Sequence, residues 1–527
     1  MCIFLAGCTR ESRPDSFSDP GLLTGVGSVH HRISTSSAGA QKFFDQGLAQ
    51  AYGFNFPGAI KSFRRASELD PKSPMPYWGI ALANGPNYNA WNPSPSRLEA
   101  SRDAIETALS LSTSAPEPER VYVNALARCF PGGPQGGQAG SLRDYANAMR
   151  EVYRAYPNDP DAAVLFAASL MNINPWHLWT VEGDAGPDTP EIVAVLEGAL
   201  GRWPTHLGAN HFYIHAMEGS PHPERALRSA RLLETLAPAA GHLVHMPSHI
   251  YLRTGDYSEA VKCNQRAVAA DDAYESTQPA EQTAGTGYFR HNFHFLVVSA
   301  GMDGEYQVAS DAAAKVQPHA HSGAFVVLPM VVLLRFGRWD ELIALPEPES
   351  EADGVQYFWR YARGFAYASK GRVEEAAQER RKTKQEFANL RAGRAFGMFF
   401  NDWSAIHQIA GDVLDARIAF ARGDAATSIH LWESAAAHED KLDFDDVPDW
   451  YYPVRESWGA ALLRNGQAAK AEEVFREDLR RNPRNPRSLF GLCKALEAQR
   501  KDSEAGSVRR QFEAAWKGER PPRIEDY

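Results

Sequence analysis

The chain has 527 residues, 44% of them hydrophobic, with a mean hydropathy of −0.41 and a formal net charge of −10. No apolar stretch is long enough to span a bilayer as a helix, and no lysine or arginine run forms a stripe that could follow a phosphate backbone; neither a membrane-spanning protein nor a nucleic-acid partner is expected. Five cysteines, Cys2, Cys8, Cys129, Cys263 and Cys493, lack C-x-x-C spacing, which argues against a thiolate metal site and a disulfide framework and leaves nitrogen and oxygen as donors for any metal.

In chain order, the first element is Met1 to Cys8, where Leu5-Ala6-Gly7-Cys8 resembles the lipobox at which bacterial lipoproteins are cleaved and lipidated. The apolar stretch before it is shorter than the roughly 7–15 residues an export signal needs. A start codon placed too late accounts for this, with Ser12 to Ser37 as a polar tether. Residues 1–37 are therefore expected to be a signal remnant and tether. The protein is expected outside the cytoplasm, in the periplasm or at the cell surface, touching a membrane only through a lipid anchor.

From residue 38 onward a helical repeat takes over. Phe43, Gly47, Ala59, Phe63, Ala66 and Asp70-Pro71 mark its first copy. The turn G-x-x-x-x-A recurs at Gly255–Ala260, Gly304–Ala309 and Gly371–Ala376. Near the end come Trp458-Gly459, Leu462, Gly466, Ala471, Phe475 and Pro483, and Ala505 follows Ala471 by 34 residues. This pattern resembles the tetratricopeptide-repeat family from about Ala40 to about Trp516. The resemblance implies an all-α, right-handed solenoid of antiparallel helix pairs whose first helices line a concave face, with roughly nine to eleven pairs in a chain of this length. Three divisions are expected: N-terminal repeats at 38–175, histidine-rich central repeats at 176–322 and C-terminal repeats at 323–527. Gly- and Pro-rich insertions interrupt them at 131–141, 181–190 and 272–286, as lids or disordered loops.

The central division carries the chemistry. Nine of the 17 histidines lie between His206 and His294. Aligning the turns at Pro221, Gly255 and Gly304 gives offsets of 34 and 49 residues, the extra 15 being the 272–286 insertion. These offsets put His211, His245 and His294 in one column, His215 and His249 in a second, and His242 and His291 in a third. Within each first helix the spacing shares one face: His211, His215 and Glu218; His242, His245 and His249; His291 and His294. Neighbouring helices pack about 8–10 Å apart, so equivalent imidazoles can reach a shared ion. Repeats elsewhere carry Phe44, Trp78, Val327 or Tyr361 at the position of His245, so stacking does not require histidine there. The expected ligands are His211, His215, Glu218, His242, His245, His249, His291 and His294. His30, His31, His222, His407, His430 and His438 read as packed or solvated side chains, and His177, His206, His319 and His321 read either way.

Pro247 stands between His245 and His249, where it removes a helical hydrogen bond and clashes with the carbonyl of Leu243 unless the helix kinks or starts there. The stretch Gly241 to Tyr251, with His211 to Glu218 upstream and His291 to Leu296 downstream, resembles a histidine-rich subgroup of bacterial tetratricopeptide proteins, a resemblance that bounds the motif and supplies no reaction. Tyr77-Trp78-Gly79 and Gly85 to Asn89 look like further signatures of that subgroup and could wall the same groove. Trp176 and Trp179 could shape an organic-substrate pocket or simply pack.

Imidazoles with one carboxylate suit copper, iron, zinc or nickel better than calcium or magnesium. Three histidines per ion would let two coppers activate dioxygen; two histidines with Glu218 would suit iron; three histidines and a water would make a zinc hydroxide. No G-x-S-x-G, Walker, dinucleotide or H-E-x-x-H motif occurs, so another catalytic class is not indicated. The expectation is a mono- or dinuclear transition-metal enzyme, an oxidase, oxygenase or hydrolase, acting on a small molecule. The alternative is a scaffold binding a protein or peptide in its concave groove.

Overall fold

A computed structural model describes residues 21–130, 138–276, 287–320, 323–350, 352, 354–390 and 401–527. The lipobox, most of the 131–141 insertion, the 277–286 part of the third insertion and His321 lie outside the described residues. The described residues are all-α, with isolated bridges at Asn87–Ala90 and Trp179–Ala185 and no strand.

The fold is a succession of antiparallel helix pairs, and two aromatic–glycine contacts explain its repeat. Phe63, on the second helix of the Ala38–Tyr52/Phe56–Leu69 pair, lies so close to Gly47 and Gly79 that a Cβ at either would stand within 2.7 Å of its ring. Phe475 fills the same place between Gly459 and Gly491 near the C-terminus. In these two places a large ring from the second helix plugs the gap between successive first helices, which carry glycine there. The turns between helices use left-handed glycines, with φ of +75° at Gly255, +91° at Gly304 and +72° at Gly466, a conformation that costs other residues about 1 kcal/mol or more.

The chain divides into two compact units. The smaller comprises residues 28–86 and 92–152 with the N-terminal residues, and its core gathers Phe44, Phe63, Trp78 and Tyr122. The larger comprises residues 153–527 with Gly25–Gly27 and Asn87–Trp91. Its histidine-bearing first helices are Leu207–Met217, then Gly241–His245 continuing into Pro247–Thr254, then Gly287–Asp303. Their partners are Leu227–Leu236, Tyr257–Glu275 and Tyr306–Val316.

The backbone at Pro247 combines both sequence expectations. Met246 keeps helical angles (φ −49°, ψ −36°), so the path is continuous, yet the hydrogen-bonded helix ends at His245 and restarts with Pro247 in its first turn. All eleven residues of Leu207–Met217 are buried, which explains why that helix shows no polar stripe. Its inner face is covered rather than open. Part of the cover is the segment between the Ala425–Glu439 and Val454–Arg464 helices, which folds back so that Phe444 meets Gly219.

Candidate metal centre

Two groups of three imidazoles form, each with one ligand atom per residue and all within 4.8 Å of one another. The first is His211 and His215 with His242 from the next first helix. The second is His245 and His249 with His291 from the helix after that. One group is the other moved on by one repeat: His211 to His245 and His215 to His249 are 34 residues each, and His242 to His291 is 49.

The spatial neighbours are not the column mates. His242, three residues before His245, is the one that meets His211, with Nε2 atoms 3.2 Å apart. In the second group the Nε2 atoms of His245 and His249 stand 2.8 Å apart. Facing ring nitrogens at such distances either share one proton or direct lone pairs at a common cation; two imidazoles on one tetrahedral zinc have nitrogens about 3.3 Å apart.

His294 lies outside both groups. Its ring centre is 5.8 Å from that of Phe325, and its Nδ1 is buried without a hydrogen-bond partner. The repeat explains this, because a third group would need histidine four residues on, where the chain has Val298.

Glu218 stands behind the imidazoles instead of among their inward-facing nitrogens. Its Oε1 is 2.7 Å from His215 Nδ1 and its Oε2 is 2.5 Å from His249 Nδ1. One carboxylate thus accepts from both groups and turns both Nε2 atoms inward. His245 is held likewise by Asn264, whose Oδ1 is 2.7 Å from Nδ1. The Asn264 amide nitrogen donates to the carbonyl of Ala260 at 2.8 Å, which fixes the oxygen toward the ring. Asp446 Oδ2 lies 3.4 Å from His291 Nε2. Partners of this kind set tautomer and ring orientation in histidine metal sites.

The surroundings favour the neutral imidazole at His242, His245, His291 and His294. Burial, then the neighbouring rings, pushes His242 and His245 well below their ordinary value. Burial lowers His291 to about 4 against the pull of Asp446, and lowers His294 to about 4. His249 goes the other way: burial opposes its charge, but Glu218 outweighs burial and raises it. Burial likewise raises Glu218, and His249 and His215 overcome it, holding the carboxyl down at about 2.

Aromatic rings enclose both groups. Phe295, fully buried, lies 4.5 Å from the rings of His245 and His249 and 4.9 Å from His291. Tyr88 and Trp176 stack on each other and stand 5.2 and 5.6 Å from His215, so Tyr88 of the Gly85 to Asn89 stretch lies against the first group. Trp179 anchors nearby by donating to the carbonyl of Ala216. Tyr288 covers His242 at 4.0 Å and accepts a hydrogen bond from Asn89.

Sequence reasoning missed Asn264, Phe295 and Asp446. The signal for Asp446 was present: Asp443-Phe444-Asp445-Asp446 interrupts the repeats with an acidic, non-helical stretch. His206 resolves to a structural role, capping the Leu207–Met217 helix through Ala209 N and pairing with Asp161. His407 stacks on Phe387.

No protein-family model and no curated protein matches the chain. Among solved structures it is similar to a human IFIT1 dimer with m7Gppp-AAAA, at 12% identity over 92% of this chain and 91% of that one, with a TM-score of 0.34. It is also similar to the APC/C hetero-tetramer Cut9–Hcn1, at 12% identity over 94% of this chain and 77% of that one, with a TM-score of 0.31. Likeness at this level carries nothing about ligands. Over its described residues the chain is an all-α protein of antiparallel helix pairs that bring together two three-histidine groups, five of the six imidazoles buried.

Proposed function

We propose that the two groups hold two neighbouring transition-metal ions and that the protein is a metal-dependent oxidoreductase acting on a small molecule. The observation that carries this reading is the duplication: the same three-histidine arrangement occurs twice, one repeat apart, buried and backed by hydrogen-bond acceptors. Setting neutral imidazoles face to face, ring nitrogen to ring nitrogen, brings lone pairs together at a cost in stability. A cation between them offsets that cost.

The donor set favours copper. All six inward residues are histidines, imidazole suits copper and zinc, and copper(II) binds most strongly among the divalent first-row ions. An iron site of two histidines and a carboxylate is disfavoured because both Glu218 oxygens are engaged by Nδ1 atoms. Copper bound there would supply one-electron redox capacity and affinity for dioxygen. The chain's own residues hold the ligands in one tautomer, keep bulk water out with Phe295, Tyr88 and Tyr288, and leave access from the side of His249. The lipobox-like start supports an extracytoplasmic site for this chemistry.

The test is metal analysis of untagged protein after reconstitution with copper, zinc and iron in turn, beside His211→Ala and His245→Ala variants. Close to two copper ions per chain, falling in each variant, is the expected result. Far less than one ion of any of these metals, with the variants unchanged, overturns the reading.

A further inference from the structure

A cavity of about 230 Å³ opens beside the second histidine group. Glu218 and His249 line it together with the 442–453 segment that folds back over the central repeats. Two features of its lining stand out. It is acidic, with Asp445, Asp446 and Asp449 on one short stretch, and it is aromatic, with Trp450 and Tyr452 beside them.

Asp445 is the informative residue. It is 4% exposed; only its neighbour Asp446 stands against its carboxyl, no cation or donor from another element reaches either oxygen, and burial with the charges of Asp446 and Asp449 pushes the carboxyl well up. The neighbouring acids are engaged: Asp446 accepts from the backbone of Val447 and faces His291, and Asp449 accepts from Asn401. The two arginines at the cavity are engaged as well. Arg253 donates to the carbonyl of Ser220 and lies 5.5 Å over the ring of Phe444, and Arg481 pairs with Asp440 and Glu477. A buried carboxyl held only among other acids leaves a place for a donor or cation from outside the chain.

We propose that this cavity binds a small organic cation, an ammonium group on an apolar body, and that this cation is the substrate presented to the metal pair. The substrate assignment rests on the metal reading above; the binding itself does not. The ammonium supplies the donors that Asp445 lacks, and opposite charges attract strongly where water is excluded. Trp450 and Tyr452 offer faces that attract cations and apolar carbon alike. A hard metal ion fits less well, because calcium takes about 6–8 oxygen ligands and magnesium an oxygen octahedron, whereas Leu252, Val298 and Met302 also line this space.

The experiment uses the full chain freed of metal and three probes of similar shape: 2-phenylethylammonium, 2-phenylethanol and 3-phenylpropanoate, each titrated calorimetrically. The ammonium should bind at least about tenfold tighter than the alcohol, with the carboxylate weakest. Asp445→Asn should remove that preference while leaving the metal content of reconstituted protein unchanged. Because Asp445→Asn could fold poorly, circular dichroism accompanies it, and Asp449→Asn, which lowers the charge at a less buried position, should weaken the ammonium alone. Equal binding of the three probes, preference for the carboxylate, or no ammonium binding to folded protein overturns the proposal. Since the titrations need no metal, and metal content is read separately, failure here leaves the metal assignment standing, and the reverse holds.

Discussion

Glu218 accepts a hydrogen bond from His249 Nδ1 at 2.5 Å while its other oxygen accepts one from His215 Nδ1 at 2.7 Å, so one carboxylate orients a ligand in each histidine group. The two groups are coupled through this side chain as well as through the Gly241–His245 helix, which gives His242 to the first and His245 to the second. Glu218→Gln should weaken metal binding in both at once. The glutamine amide keeps one acceptor and turns a donor toward the other Nδ1, forcing that ring into the wrong tautomer. Losses behind metal ligands run to about 10–100-fold in affinity. Asn264→Ala should weaken the second group alone. Competition with a chelator of known affinity measures both; identical profiles for the two variants would show that Glu218 does not couple the groups.

The diagonal make-up of the groups gives a second expectation. His211→Ala and His245→Ala should each remove one of two ions, the double variant both, and His294→Ala neither. Metal content per chain after dialysis reads this directly. If His294→Ala lowers the stoichiometry as His245→Ala does, the assignment of His291 to the second group is wrong.

The repeats were legible because their signals are local: turn glycines with positive φ at Gly255, Gly304 and Gly466, and the spacing of Phe475 to its flanking glycines. Histidine crowding and a common face were legible for the same reason, and six of the eight expected ligand residues come together. Which histidines meet was not, because the crossing of adjacent helices sets His242, not His245, opposite His211. Glu218 was placed on the correct face but assigned the wrong side of the imidazoles, since spacing gives direction and not which ring nitrogen a carboxylate meets. Asp446, 155 residues after His291, comes to it only through the folding back of a long segment, and no periodicity encodes such a contact.

Pro247 supplies a third test. The backbone runs helically through Met246 into Pro247, so the proline withholds a hydrogen bond from Leu243 without ending the path. Pro247→Ala should restore that bond and raise the stability of metal-free protein by about 1–2 kcal/mol, less than the proline penalty because the unfolded chain gains freedom. It should also shift His245 against His249 and lower metal affinity. Thermal unfolding and metal competition together check this. A more stable variant with unchanged affinity would make the proline a helix start with no part in the site.

Away from the histidines, Asp478 makes stability depend on pH. It is 1% exposed; its oxygens accept from Asn485 and Ser488 on one side and Asn482 on the other. Burial first, then the charge of Glu456, pushes its carboxyl up to about 6 from an ordinary 3.8, against those hydrogen bonds. The folded state therefore holds this proton more tightly than the unfolded state. Well below pH 3.8 both states are protonated and no penalty applies. As pH rises to about 6 the unfolded chain loses the proton first, and stability falls by about 3 kcal/mol before levelling off. Asp478→Asn has no proton to lose. Its stability relative to the unaltered chain should improve by about that amount between roughly pH 4 and pH 7, read as the change in the difference between their urea midpoints across that range. Parallel curves for the two chains would place the pH dependence elsewhere.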